Sequence, residues 1–446
     1  MKRCKDILLL SVTGLLVSVA GCDSVIYDNY PVGNDPEDLV TLVLNIGLVA
    51  PTRAAANNDG EKMHDLRIVL LDDKGAVEYN EHISFDGLLT EYKEGTQGYQ
   101  FIRTKPGSKK IFLVANEASV TAVHSTDNSF TGSPSLTTVL NDWPAGSDKG
   151  GFETMVKSIY FAPGDYSGMN IPLSSSYEFE IPEEKAGGQV VKEFYLVHAA
   201  TKFEFEFINN RQFPVQINAL SISSIADNMY LMANFGTEAA EKKEVTWEEG
   251  SSTQTAYWID WLKKVSEATN KETNVKDPNN ESTNKNYGWI KDYELPGASP
   301  NHTDKHLIEG GKLVVNGESV PSDEMIKIPA DATTANPYKG VPVTYFPESK
   351  NLVSGSAENQ QYSFSITLTD TDPDNMIPDG VSKTKEFPNL PLTNIGTNND
   401  NLVTLFRNTH VKITCTIGYD EQDIELTLLV GICPWYEATI NIPAFD

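Results

Sequence analysis

The chain alternates. Many short runs place apolar residues at every second position, with turn residues between them, which is the period of a half-buried β-strand. Val40, Leu42, Leu44, Ile46 and Leu48 share one face of such a run. Phe203, Phe205 and Phe207 alternate with Lys202, Glu204 and Glu206, and Phe364, Ile366 and Leu368 alternate with Ser and Thr. Ile424, Leu426, Leu428, Val430 and Ile432 line another face, as do Tyr436, Ala438, Ile440, Ile442 and Ala444. Leu66-Val69-Leu71 and Ile111–Ala115 read as buried strands. Amphipathic helical spacing is scarce. The pattern predicts an all-β protein of sandwich type.

The N-terminus follows a different rule. Lys2, Arg3 and Lys5 precede an apolar stretch from Ile7 to Val19, and Val19-Ala20-Gly21-Cys22 closes it with small residues before a cysteine. The stretch is shorter than the ~20 residues that span a bilayer, so it reads as an export signal. It resembles a bacterial lipobox, with residues 1–21 removed and the Cys22 thiol as the lipid acceptor. The mature chain is then anchored to a membrane rather than threaded through it.

Some 425 residues after the signal exceed one core, so two domains are expected. The turn-rich stretch from Pro182 to Gly188 sets the boundary at 195/196. Residues 238–310 are rich in Asn, Lys, Glu and Thr and read as an excursion of the second domain. Tyr257, Trp258, Trp261, Leu262 and Val265 have the spacing of one short helix within it.

Charge and chemistry narrow the function. The 446 residues carry a net charge of −27, and the loss of Lys2, Arg3, Lys5 and Asp6 with the signal takes it to −29. Such a field repels nucleic acid and anionic headgroups. No metal, nucleophile or phosphate-loop signature occurs, and no cofactor is implied, so the chain reads as a non-enzyme. His302 and His306 have i, i+4 spacing but sit in a Ser-Pro-Asn-rich segment without a Glu between them. Asp370-x-Asp372-x-Asp374 lacks the Gly and Glu of a calcium loop and reads as an acidic hairpin tip. A hairpin turning near Asp420-Glu421 sets Cys415 opposite a residue near 427. Cys433 then lies several positions beyond, which a disulfide spans only if the register differs.

Four segments together resemble the FimA-type fimbrillins, subunits of the type V pili built from lipoprotein precursors. They are the lipobox with the strand leading to Pro51-Thr52-Arg53-Ala54-Ala55, the run Lys109–Asn116, the run Leu196–Phe203, and Phe406–Ile413 followed by Pro434-Trp435 and a last strand. The resemblance implies a transthyretin-like β-sandwich in residues 54–195 and another in 196–446. It implies a propeptide, 22–53, whose strand is removed by an Arg-specific protease cutting between Arg53 and Ala54. It implies head-to-tail polymerisation with copies of itself or related pilins, the donor strand being Tyr436, Ala438, Ile440, Ile442 and Ala444. The precursor would sit in the outer membrane and the product in a surface fimbrium. The other reading is a surface-anchored lipoprotein that keeps its lipid and never polymerises, as a basal anchor or adhesin.

Overall fold

The computed structural model describes residues 39–48, 59–84, 98–147, 149–165, 170–233, 244–249, 252–257, 302–315, 318–319, 324–350, 362–371, 384–394, 400–401, 404–405, 407–420 and 423–434. Architecture is all-β. Seven strands build the first half: β1 (Val40–Leu48), β2 (Asp65–Leu71), β3 (Val77–Ser84), β4 (Gly98–Thr104), β5 (Gly107–Ala115), β6 (Leu173–Ile181) and β7 (Gln189–His198). Their order is β3-β2-β5-β6-β7-β1-β4. β6 and β7 pair at only two positions, Leu173–His198 and Ser174–Val197. At that corner the sheet folds over, so that β7-β1-β4 packs on β3-β2-β5-β6. Leu42, Leu44 and Ile46 thus meet Ile68, Leu70, Ile111 and Leu113 in one core.

β2 is buried at every position because its other face is also covered. Val69, Leu71, Phe112 and Val114 pack against two short helices, α1 (Leu136–Asn141) and α2 (Phe152–Ser158). Ser135 caps α1 by accepting the Thr138 N–H, as a short polar residue before an apolar turn is expected to do.

The second half contains β8 (Ala200–Asn209), β9 (Val215–Ala226), β10 (His302–Glu309), β11 (Lys312–Val315), β12 (Thr344–Pro347), β13 (Ser363–Asp370), β14 (Thr384–Pro391), β15 (Thr409–Asp420) and β16 (Asp423–Pro434). One sheet runs β12-β8-β15-β16 and continues into residues 393–394 and 400–401; the facing sheet carries β11-β10-β9-β13-β14. Phe203, Phe205 and Phe207 are fully buried between the sheets, with Phe364, Ile366 and Leu368 opposite them. Each such side chain contributes roughly 1.5–3 kcal/mol on burial.

Several expectations change on this frame. β7 extends to His198, so Leu196 lies in the last strand of the first sheet and the new sheet begins at Ala200. Residues 244–249 and 252–257 form a hairpin, in which Tyr257 pairs with Glu244, so a helix does not begin at Tyr257; residues 258–265 lie outside the described residues. His302 and His306 belong to β10, a strand of the sandwich, and not to a loop. Strand rise sets residues four apart about 13 Å from each other, which separates the two histidines. His306 pairs with Glu309 at 3.3 Å instead. Asp370 closes β13 before the connection to its antiparallel partner β14; it is buried and accepts from Arg211 Nη2 at 2.7 Å, and Asp372 and Asp374 lie outside the described residues.

The β15–β16 hairpin has the expected register within one residue. Cys415 faces Leu428, and Cys433 faces His410. Cys415 is a free, fully buried thiol, and burial in apolar surroundings pushes its pKa well above the ordinary value. Cys415 therefore stays unlabelled by maleimide in the native protein and reacts on denaturation. Prompt labelling at Cys415 under native conditions, read by peptide mass spectrometry, would contradict this packing.

Candidate functional site: the first strand and the junction behind it

β1 lies in mid-sheet. It pairs in parallel with β7, from Thr41–Gln189 to Leu48–Leu196, and antiparallel with β4, from Val40–Thr104 to Ile46–Gly98. Leu42, Leu44, Ile46 and Leu48 point into the core, as their alternation predicts. The outward positions differ from a one-faced strand, since only Thr41 is partly exposed. Val43 is buried between Val191 and Phe101, its register partners, and those two are 56% and 47% exposed. Asn45 is also buried, and its Oδ1 has no hydrogen-bond partner. An orphaned buried acceptor costs about 1–3 kcal/mol. β1 is thus strongly apolar inward and imperfectly satisfied outward.

Beyond β1 lies the segment 49–58, which contains Arg53 and Ala54 and is outside the described residues, as are Cys22, Tyr436, Ala438, Ile440, Ile442 and Ala444. The chain resumes at a buried polar junction between the two halves. Lys202 Nζ and Tyr345 Oη donate to Glu61 Oε1 at 2.8 and 2.7 Å. His198 sets Nε2 2.9 Å from the Glu61 main-chain oxygen and Nδ1 3.0 Å from Asn408 Oδ1. Burial pushes the Glu61 carboxyl up, but Lys202, His198 and Tyr345 together hold it below its ordinary value. Burial drives His198 below its ordinary value, against the opposing pull of the Glu61 charge and of the Asn408 and Glu61 oxygens on its ring.

A second buried pair continues the seam. Arg407 Nε donates to Glu348 Oε1 at 2.9 Å, and its Nη2 meets the same oxygen. The remaining donors reach the main-chain oxygens of Leu231 (3.1 Å) and Tyr230 (3.0 Å) and the Ser174 hydroxyl (3.3 Å). Ser174 is in β6 of the first half, whereas Arg407 precedes β15 of the second. Apolar packing spans the same seam: Met229, Leu231, Met232 and Tyr345 join the core against α1 and α2. Asn116 and Asn408 both adopt left-handed backbone, at φ 62° and 59°, a conformation in which asparagine is several-fold enriched.

These residues explain why particular letters stood out in the sequence. Asn116 ends the Lys109–Asn116 run, His198 and Lys202 sit in Leu196–Phe203, and Arg407 and Asn408 sit in Phe406–Ile413. Glu61, Tyr345 and Glu348 were missed, because a lone acid or tyrosine carries no periodic signal. Among the described residues no group of three or more His, Cys, Asp or Glu side chains could hold a metal, and no helix is long and apolar enough to cross a membrane.

No protein-family model and no curated protein matches the chain. Among solved structures it is similar to the tip fimbrial protein Mfa3 from Porphyromonas gingivalis with C-terminal truncation (13% identity, 89% of this chain and 100% of that one, TM-score 0.45). It is also similar to a fimbrilin from Porphyromonas gingivalis (14% identity, 91% and 100%, TM-score 0.38) and to a fimbrial assembly protein from Parabacteroides distasonis (9% identity, 88% and 98%, TM-score 0.35).

Two outcomes test the site's physics. Asn45→Leu removes the orphaned acceptor while keeping the same heavy-atom branching, and should raise unfolding free energy by about 1 kcal/mol in denaturant titrations. A loss of stability would refute the orphan account.

The junction should also weaken in acid. The folded pKa of His198 lies below 6.5, so on acidification the unfolded chain binds a proton the folded one refuses. Stability from the neutral ring is present above pH 6.5 and falls below it, by at most about 1.4 kcal/mol per pH unit. Glu61 adds a second loss below its ordinary value of 4.5, as the pH passes through its depressed folded value. His198→Gln should flatten the dependence of stability on pH between 7 and 5; an unchanged slope would exclude His198 as its source.

Proposed function

We propose that the chain is a structural, non-catalytic subunit of a surface fimbria. It is exported as a lipoprotein through Cys22 and held at the outer membrane. An Arg-specific protease cuts it between Arg53 and Ala54, and it joins a filament by exchanging β1 for the C-terminal strand of another copy or a related pilin. The observation that carries this reading is the position of β1. It fills the middle of a sheet with its apolar face in the core and its outward face largely covered, and the segment that ties it to the rest of the chain, 49–58, contains Arg53.

Removing such a strand exposes an apolar groove flanked by the unpaired edges of β7 and β4. Residues 436–444 offer the same period: Tyr436, Ala438, Ile440, Ile442 and Ala444 alternate with Glu437, Thr439, Asn441 and Pro443. Side chains that alternate with period 2 can replace one another in one groove. Pro443 donates no ladder hydrogen bond, so productive pairing ends at Ile442. A head-to-tail contact of this kind need not close, and it therefore propagates into a filament. The names of the similar structures accord with this reading.

The test is the N-terminus of the mature protein in its own host. Mass spectrometry should find a chain beginning at Ala54, and Arg53→Ala should abolish filaments. Deletion of 436–446 should leave an exported, folded monomer that does not polymerise. A mature chain that retains acylated Cys22 would instead establish the surface anchor, and wild-type filaments from Arg53→Ala would sink the processing step.

A further inference from the structure

The stretch that follows the Arg53 segment is held from two directions. On one side, Asn116 Oδ1 accepts from the His64 N–H at 2.8 Å, and its Nδ2 donates to the main-chain oxygens of Lys62 (2.9 Å) and Ile171 (2.7 Å). The Ile171 N–H donates to the Gly60 oxygen at 2.8 Å. On the other side stand Lys202, Tyr345 and His198, which grip the Glu61 carboxylate and carbonyl. Glu61 is 1% exposed and Lys202 6%. Pulling Glu61 away would break an ion pair buried on both sides, which is far costlier than exposing an apolar residue.

β1 has no comparable grip. It is held by two ladders and by apolar packing, and its one buried polar side chain, Asn45, leaves its oxygen unpartnered. The two neighbouring segments therefore differ in kind: one is greased and separable, the next is riveted by charge across both halves.

We propose that Glu61 is the stop for strand withdrawal. A cut within residues 49–58 frees β1 alone, and the chain from Gly60 onward stays fixed across the junction. The opened groove then keeps its shape, because the new N-terminal end cannot fray past Glu61 into β2, which begins at Asp65. The inference rests on the reading of β1 as removable. It goes further in naming the positioning residue that confines the opening.

The experiment uses the full chain with residues 51–57 replaced by the recognition sequence of a site-specific protease, so it does not depend on Arg53. Hydrogen exchange is followed before and after the cut in this parent, in Glu61→Ala and in Glu61→Gln. In the parent, amides of 40–48 should exchange about a hundredfold faster after the cut, while those of 59–64 and 198–202 change less than about threefold. In Glu61→Ala the cut should also speed 59–64 and 198–202, by about tenfold or more. Glu61→Gln keeps the shape of the side chain but not its charge, should give the same direction, and carries the comparison if Glu61→Ala does not fold. Equal opening of 59–64 in parent and variants would overturn the stop while leaving the removable strand intact. Continued protection of 40–48 after the cut would overturn both.

Discussion

A few buried, paired charges fix how the two halves of this molecule meet. Glu61, Lys202, Arg407 and Glu348 each lie where an unpaired charge would be prohibitive; Glu61 and Lys202 pair across the boundary between the halves, while Arg407, paired with Glu348 inside the second half, reaches the first through Ser174. Hydrophobic burial is non-directional, so it can bring two sandwiches into contact without fixing their angle. Carboxylates that accept from several donors have narrow geometry and do fix it. The junction therefore sets orientation, and the sandwiches supply most of the stability.

The first sandwich depends on that arrangement in a second way. β2 and β5 are sheathed on both faces, by β1 and β7 on one side and by α1 and α2 on the other. Their burial does not rest on β1 alone. A half of this kind can lose one strand and still retain a continuous core on its far side, where Phe112, Phe152 and Trp143 stack edge to face.

Much of the fold was legible from alternation. The phenylalanines of β8, the run in β13 and the β15–β16 hairpin follow from period 2, because a half-buried strand must segregate its faces. β2 and β5 were legible for the opposite reason, through the consecutive apolar residues Ile68–Leu71 and Ile111–Ala115. What escaped was whatever depends on partners distant in sequence. Tyr257 has helical spacing to Trp261, yet its own segment pairs as a hairpin, so cross-strand pairing overrides local spacing there. His302 and His306 looked like loop residues because β10 is polar for most of its length; only Leu307 and Ile308 betray it. At the site, β1 was visible as a strand, but its outward burial was not, since Val43 and Asn45 acquire it from strands β4 and β7. Glu61 was invisible for a similar reason, as its meaning lies in Lys202 and Tyr345.

Both sandwiches pair their opening strand in parallel with one that comes late in the chain. Thr41 of β1 meets Gln189 of β7, and Lys202 of β8 meets His410 of β15. Pairings this distant are slow to form, since a long loop must be closed before any bond is gained. A chain emerging from its N-terminus presents β1 first, with its apolar face and both edges open, and the partner strand follows only after the intervening strands have emerged. The earliest segment to appear is thus among the last to be locked in place. During that interval the apolar face of β1 has only β4 beside it, so the time taken to deliver β7 sets how long that edge stays open.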